Sequence, residues 1–103
     1  MGVLKMYKSI RIIYDSAIKS DVVKIVKKNG IQKYIEYPNL KGEWSKDLKH
    51  LDNHIWPGTD SALLIIEEEE KSKKLIADLK NYKENMEYEV PFFVIVVNVE
   101  EFI

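Results

Sequence analysis

Two short segments of this sequence are apolar at every position, residues 63–66 and 92–97. Successive side chains of a β-strand point to opposite faces of a sheet, so a strand with one wet face alternates polar and apolar residues. Neither segment alternates, and both have the short length that is typical of strands. We therefore predict strands over residues 61–66 and 90–97, each covered by other protein on both of its faces.

The remaining elements follow from the spacing of apolar residues. β-Branched and aromatic residues in alternation predict strands over residues 6–14 and 31–37, the second ended by Pro38. Apolar residues at helical spacing predict one helix between these strands, within 18–26, and another across 75–82. The predicted order is therefore strand, helix, strand, long loop, strand, helix, strand.

This order is typical of an α+β, ferredoxin-like βαββαβ sandwich, with two helices on one face of a four-stranded antiparallel sheet. The expected spatial order of the strands is 4-1-3-2. It places at the two edges the polar strand 31–37 and the strand that contains Pro91, where an interrupted hydrogen-bond ladder is tolerated. A chain of 103 residues builds one core, so we expect a single domain over residues 1–103.

Two helices can cover only one face of such a sheet. The segments 63–66 and 92–97 would then expose several large side chains on the other face, each forgoing about 1.5–3 kcal/mol of burial. A contiguous apolar sheet face exceeds what a monomer normally shows, and a second copy of the chain can cover it. The alternative cover is the long loop, folded back over the same face.

Composition excludes several classes of function. The formal net charge is −1 and Arg11 is the single arginine, which argues against binding of nucleic acid. The absence of cysteine excludes disulfides, thiol nucleophiles and cysteine-held metals. The longest apolar run, residues 90–97, is too short for a transmembrane segment, and we expect a cytoplasmic protein.

The connection over residues 38–60 is the anomaly of the chain. Connections in compact domains usually span about 2–6 residues, and longer ones commonly carry function. We expect a short helical turn over 45–51 inside it. His50 and His54 lie four residues apart, so on a helical turn they would share a face and could chelate a divalent metal ion. The alternative is that both are solvated, or that one packs against Trp56.

The second half of the connection contains an aromatic turn, Trp56-Pro57-Gly58. An exposed tryptophan suits stacking on a planar ligand or docking of a partner, and we take His54, Trp56, Pro57 and Gly58 as candidate ligand-binding residues. The same turn could instead be a hydrophobic plug that returns the loop to the sheet. We find no pattern of catalytic residues and expect no enzymatic activity.

Two segments carry a resemblance to a known family. Residues 88–91, Tyr-Glu-Val-Pro, resemble the start of the last strand in CutA proteins, and residues 54–61 resemble a His-x-Trp-Pro-Gly segment of small PII-like proteins. These two segments, together with the element order over the whole chain, make the sequence similar to the PII-like superfamily. In classical PII proteins a glycine-rich basic segment before the last strand holds ATP phosphates, whereas residues 84–89 here are acidic and contain no glycine.

The resemblance implies a homotrimer with inward-facing sheets. It also implies a regulatory or signalling role, in which a small ligand or ion binds at the clefts between subunits and the loop 38–60 responds. An alternative is a CutA-like trimer that binds divalent metal ions at His50 and His54. A third possibility is a protein-interaction module whose loop docks another protein.

Overall fold

A computed structural model describes residues 5–103 of the chain. It contains six strands and two α-helices, and a single 3₁₀ turn (Ser16–Ile18) precedes the first helix. In chain order the elements are β1 (Tyr7–Asp15), α1 (Lys19–Lys28), β2 (Ile35–Leu40), β3 (Gly42–Ser45), β4 (Leu48–His50), β5 (Asp60–Glu68), α2 (Glu69–Glu84) and β6 (Phe92–Val99).

Four strands form one antiparallel sheet in the order β2-β5-β1-β6. The central strand β1 pairs with β5 on one side and with β6 on the other, so that Ile10 lies opposite both Ile65 and Val96. Numbered among the four sheet strands alone, this is the 4-1-3-2 order predicted from the sequence. The ferredoxin-like fold and the two edge positions are confirmed.

One face of the sheet packs against both helices and forms the core. Ile10, Ile12, Leu63 and Ile65 project from the two central strands and are fully buried. The buried side chains of the helices that complete this cluster are Val22 and Val26 of α1 and Leu75 and Leu79 of α2. The helical spacing in the sequence predicted these stripes, because residues three or four apart share one face of a helix.

The opposite face of the sheet, which we call the open face, is largely apolar, with Ser9 and exposed Arg11 of β1 among its residues, and lacks a covering layer over much of its area in the described chain. Ile35 and Val97, on the two edge strands, are each 54% exposed, and Ile66 and Ile95 are also exposed. Other protein contacts this face at two places: the Trp44 ring lies 4.6 Å from the Phe93 ring, and the Phe102 ring lies 5.1 Å from the Tyr7 ring. The long connection therefore covers one corner of the open face.

Strand β2 differs from its prediction in its bounds. It covers Ile35–Leu40 rather than residues 31–37, and Pro38 lies inside it instead of ending it. The pairing with β5 is irregular between Tyr37 and Leu40, and Asn39 adopts a positive φ of 58°. Proline is tolerated here because β2 is an edge strand and the irregularity removes the need for its missing N–H.

The prediction of a helical turn over residues 45–51 is wrong. Strands β3 and β4 form a two-stranded antiparallel hairpin, with Gly42 opposite His50 and Ser45 opposite Leu48. Local spacing suggested a helix, but side chains of both hairpin strands bind a residue of β5, as described below. These tertiary contacts favour the extended conformation over a helical turn.

The bounds of the last three elements also differ from those predicted from the sequence. Strand β5 covers Asp60–Glu68 rather than residues 61–66, α2 covers Glu69–Glu84 and so extends beyond the predicted stripe 75–82 at both ends, and β6 covers Phe92–Val99 rather than residues 90–97. No helix within residues 5–103 is both long enough and apolar enough to span a membrane.

Within residues 5–103, one buried side-chain oxygen lacks a hydrogen-bond partner. Tyr14 is fully buried, and its hydroxyl makes no hydrogen bond with residues 5–103. The hydroxyl of Ser61, its neighbour on β5, is bonded instead to Ser16. Burial, with a smaller contribution from the charge of Glu36, raises the pKa of Tyr14 to about 12.

We expect Tyr14→Phe to leave stability unchanged or to raise it at neutral pH, because it removes a buried hydroxyl that gains no hydrogen bond. The pKa of Tyr14 is 10.0 in the unfolded chain and about 12 in the fold. The free energy of unfolding is therefore unaffected by this group below pH 10, and it falls as the pH rises toward 12. Two pKa units correspond to about 2.7 kcal/mol. Urea unfolding across this range should therefore show a smaller alkaline loss in Tyr14→Phe. An equal loss in both proteins would contradict the assignment.

Candidate functional site

Three parts of the chain meet at the carboxyl end of β1. The backbone N–H of Asp15 donates to the carbonyl of Pro91, just before β6, at 2.9 Å. The N–H of Ser16 donates to the carbonyl of Thr59, just before β5, at 3.0 Å. The end of β1, the segment before β5 and the segment before β6 are thus held together, and polar side chains of the first two fill this junction.

The hairpin is attached to the sheet through the carboxylate of Asp60. This side chain is 2% exposed, and it accepts hydrogen bonds from Trp44 Nε1 of β3 at 2.8 Å and from His50 Nδ1 of β4 at 2.6 Å. A buried carboxylate requires such donors, because leaving it without partners costs several kcal/mol. Asp60 therefore fixes both strands of the hairpin, and we call Trp44, His50 and Asp60 the hairpin anchor.

Two glycines allow the close packing of the anchor. A Cβ atom on Gly42 would lie 2.6 Å from Asp60 Oδ2 and 2.9 Å from Trp44 Nε1, too close for any side chain. Gly58 has a φ of +94°, and a Cβ atom there would lie 3.3 Å from the His50 ring. Gly42 lets the hairpin close over the carboxylate, and Gly58 leaves room for the imidazole.

The second nitrogen of His50 faces another carboxylate. Nε2 lies 3.7 Å from Asp15 Oδ2, and both side chains are largely buried, with 17% and 15% of their surface exposed. The other oxygen of Asp15 accepts the backbone N–H of Ala17 at 2.9 Å and caps the 3₁₀ turn. The imidazole therefore lies between Asp60 and Asp15, with each carboxylate held in place by a second contact.

Hydroxyl groups complete this junction. Ser16 Oγ lies 2.8 Å from Thr59 Oγ1 and 2.7 Å from Ser61 Oγ. These bonds link the start of the 3₁₀ turn to the start of β5 and satisfy the buried Ser61 hydroxyl. They fix the backbone that carries Asp15 and Asp60.

The aromatic turn after the hairpin has an ordered internal structure. The Asn53 side chain accepts the backbone N–H of Ile55 at 3.0 Å and of Trp56 at 2.7 Å, and the Trp56 carbonyl accepts the N–H of Leu51 at 3.0 Å. Lys49 Nζ lies 5.1 Å from the centre of the Trp56 ring, a cation–π contact. The turn holds Trp56 partly buried and leaves His54, Ile55 and Pro57 exposed.

The two histidines take different places. His50 is on a strand within the anchor, whereas His54 is exposed in the turn and its side chain makes no hydrogen bond or ion pair with residues 5–103. The helical turn that would have aligned them is absent. No three His, Asp or Glu side chains in the described part of the chain are placed to hold one metal ion. Metal binding by His50 and His54 stays a prediction, as does ligand binding by His54, Trp56, Pro57 and Gly58.

Sequence reasoning missed Asp15 and Asp60 as members of this site. The sequence places Asp60 only at the end of the long connection 38–60, and nothing in the spacing brings Asp15 to it. One signal could have identified Asp60: a charged residue next to the apolar run of β5 is buried on that strand and needs donors from elsewhere.

The segment between α2 and β6 borders the same junction. It carries Glu87 and Glu89, which are exposed, and Pro91, which is buried. Lys83, near the end of α2, donates to the carbonyl of Phe92 at 2.6 Å and lies 4.7 Å from the centre of the Phe93 ring. This segment provides negative charge and no glycine, unlike a backbone cradle for phosphates.

The fold matches solved PII-like proteins. CPII from Thiomonas intermedia K12, a nitrogen regulatory PII-like protein, in a structure with ADP and bicarbonate, is 20% identical and superposes with a TM-score of 0.67 over 93% of this chain and 90% of that one. The structure of CPII with ADP, AMP and bicarbonate gives 19% identity and a TM-score of 0.65, over 95% of this chain and 97% of that one. A PII-like protein from Thermus thermophilus is 22% identical and superposes with a TM-score of 0.65 over 96% of this chain and 91% of that one.

These matches establish that the chain has the fold of PII-like proteins, as the sequence resemblance implied. No protein-family model and no curated protein sequence matches the chain.

We expect Gly42→Ala to weaken the hairpin anchor, because its methyl group would occupy the space of the Trp44–Asp60 hydrogen bond. Loss of a hydrogen bond to a buried carboxylate costs about 1–3 kcal/mol. The expected result is faster hydrogen exchange over residues 42–50 and a lower melting temperature. Lys41→Ala, at the exposed neighbouring position, is the control. Unchanged exchange in Gly42→Ala would contradict the role of this contact.

Proposed function

We propose that this chain is a non-enzymatic, cytoplasmic PII-like regulatory protein. It assembles as a homotrimer whose open faces turn inward, binds a small ligand or ion at the clefts between subunits, and signals through residues 38–60. The open face is the observation that carries this proposal. Exposed Ile35, Ile66, Ile95 and Val97 forgo burial in a single chain, and a protein interface restores it.

The proposed ligand lies beside the junction at the end of β1. Exposed His54 and Pro57, together with Trp56 and Gly58, form a surface beside the hairpin anchor. The solved structures of CPII contain ADP, AMP and bicarbonate, which makes these three the first ligands to test on this chain. The acidic segment before β6 favours a small ligand or ion over a polyphosphate.

The hairpin is suited to report binding. Both of its strands depend on one carboxylate, so a ligand that alters the contacts of His50 would alter the position of the whole element. Its tip around Lys46 and Asp47 is exposed, and it could then dock a target protein. Nucleic acid is not an expected target, because the formal net charge is −1 and there is only one arginine.

Calorimetric titration of the purified protein with ADP, AMP and bicarbonate tests ligand binding. We expect at least one of them to bind, and Trp56→Ala to weaken that binding at least tenfold. Ile55→Ala is the matched control, because this neighbouring side chain is exposed and lies outside the proposed surface. Equal affinities of the two variants would contradict the proposed place of the ligand. If the parent protein forms a trimer and binds none of the three, a protein-interaction module becomes the better account.

A further inference from the structure

The Nε2 atom of His50 makes no hydrogen bond within residues 5–103 and faces the carboxylate of Asp15 at 3.7 Å. Nδ1 is engaged by the buried carboxylate of Asp60 at 2.6 Å. In the neutral imidazole that donates from Nδ1, Nε2 carries a lone pair. A carboxylate behind one nitrogen of a histidine is the arrangement that orients the other nitrogen toward a metal ion and raises its basicity.

The nearest group to Nε2 supplies a second ligand atom. Asp15 Oδ2 lies 3.7 Å away, too far for a direct hydrogen bond. Two ligands at 2.0–2.2 Å from a tetrahedral zinc ion are themselves about 3.4 Å apart. A movement of about 0.3 Å would thus bring nitrogen and oxygen to the separation that one such ion requires.

Both ligand atoms are held in place before any ion arrives. Gly58 packs against the His50 ring, and the second oxygen of Asp15 accepts the N–H of Ala17. Each side chain nevertheless keeps about a sixth of its surface exposed, so the pair is not sealed from solvent. Little side-chain entropy remains to be lost when the ion binds.

We propose that His50 Nε2 and Asp15 Oδ2 bind a divalent transition-metal ion such as zinc, with Asp60 as the positioning residue. The two carboxylates balance the charge of the ion. Since residues 5–103 place no third His, Asp or Glu at this point, water completes the coordination and the ion is exchangeable. The nitrogen ligand favours transition metals over magnesium and calcium, which prefer oxygen alone.

This site differs from the pair predicted from sequence spacing, because Asp15 replaces His54. It also lies within one chain, so it does not depend on the proposed trimer or on a nucleotide ligand. Two variants remove one ligand atom each with little effect on the fold. In His50→Asn an amide N–H can still donate to Asp60, and in Asp15→Asn the amide oxygen can still cap the 3₁₀ turn.

The test is titration of the full chain with zinc and, separately, with cobalt, followed by calorimetry and by the visible absorption of bound cobalt. We expect one ion per chain, and at least a tenfold loss of affinity in both His50→Asn and Asp15→Asn. Asp52→Asn, an exposed aspartate just after the hairpin, is the matched control and should bind as the parent does. Asp60→Asn should weaken binding about tenfold, as changes behind a metal-bound histidine do.

Two results would overturn the proposal. One is a parent protein that binds zinc no more tightly than His50→Asn does. The other is a loss in His54→Ala as large as that in His50→Asn while Asp15→Asn binds normally, which would favour the histidine pair. Light scattering on the same samples reports the oligomeric state, so failure of the metal site and failure of the trimer are seen separately.

Discussion

Replacing Ile65 by aspartate should unfold the protein. Ile65 lies on the helix-facing side of β5, is 0% exposed and belongs to the core cluster that packs against both helices. The substitution removes a large buried side chain and places a carboxylate where no described residue can pair with it. Cavity and charge together cost about 5 kcal/mol or more, which is comparable with the whole stability of a domain of this size. Circular dichroism should show loss of the folded state at room temperature.

The same substitution one residue later should give a different result. Ile66 is on the open face and is 38% exposed in the single chain, so Ile66→Asp should change the stability of the monomer by less than about 1 kcal/mol. In a trimer with inward-facing sheets the new charge would be buried between subunits, and several kcal/mol of association would be lost. We therefore expect a folded monomer of about one third of the parent mass.

Ile65→Asp and Ile66→Asp control for each other, since each replaces an isoleucine of β5 by aspartate. Light scattering and circular dichroism on both samples separate folding from assembly. A parent protein that is already a monomer at micromolar concentration would contradict the homotrimer. Ile65→Asp protein that remains folded would contradict the placement of this residue in the core.

The candidate site was predictable only in part. The long connection and its aromatic turn identified the functional region, because unusual length and Trp-Pro-Gly chemistry are local properties of the chain. The partners of His50 were not predictable: Asp15 is 35 positions away along the chain, and it reaches the imidazole because β1 and β5 are paired. Spacing suggested His54 instead, since a histidine four residues away would be its neighbour on a helix.

Local pattern alone determined the order of the four sheet strands and the two helices along the chain, the 3.6-residue stripes of both helices and the fully apolar segments, and from these the ferredoxin-like arrangement followed. These features depend on interactions between residues close in sequence, or on burial averaged over a whole face. The tertiary structure decided the rest. Whether Ile65 or Ile66 faces the helices depends on strand register, and a shift of one residue reverses it. The hairpin at residues 42–50 likewise depends on Asp60, a buried charge whose need for donors outweighs the weak helical preference of those residues.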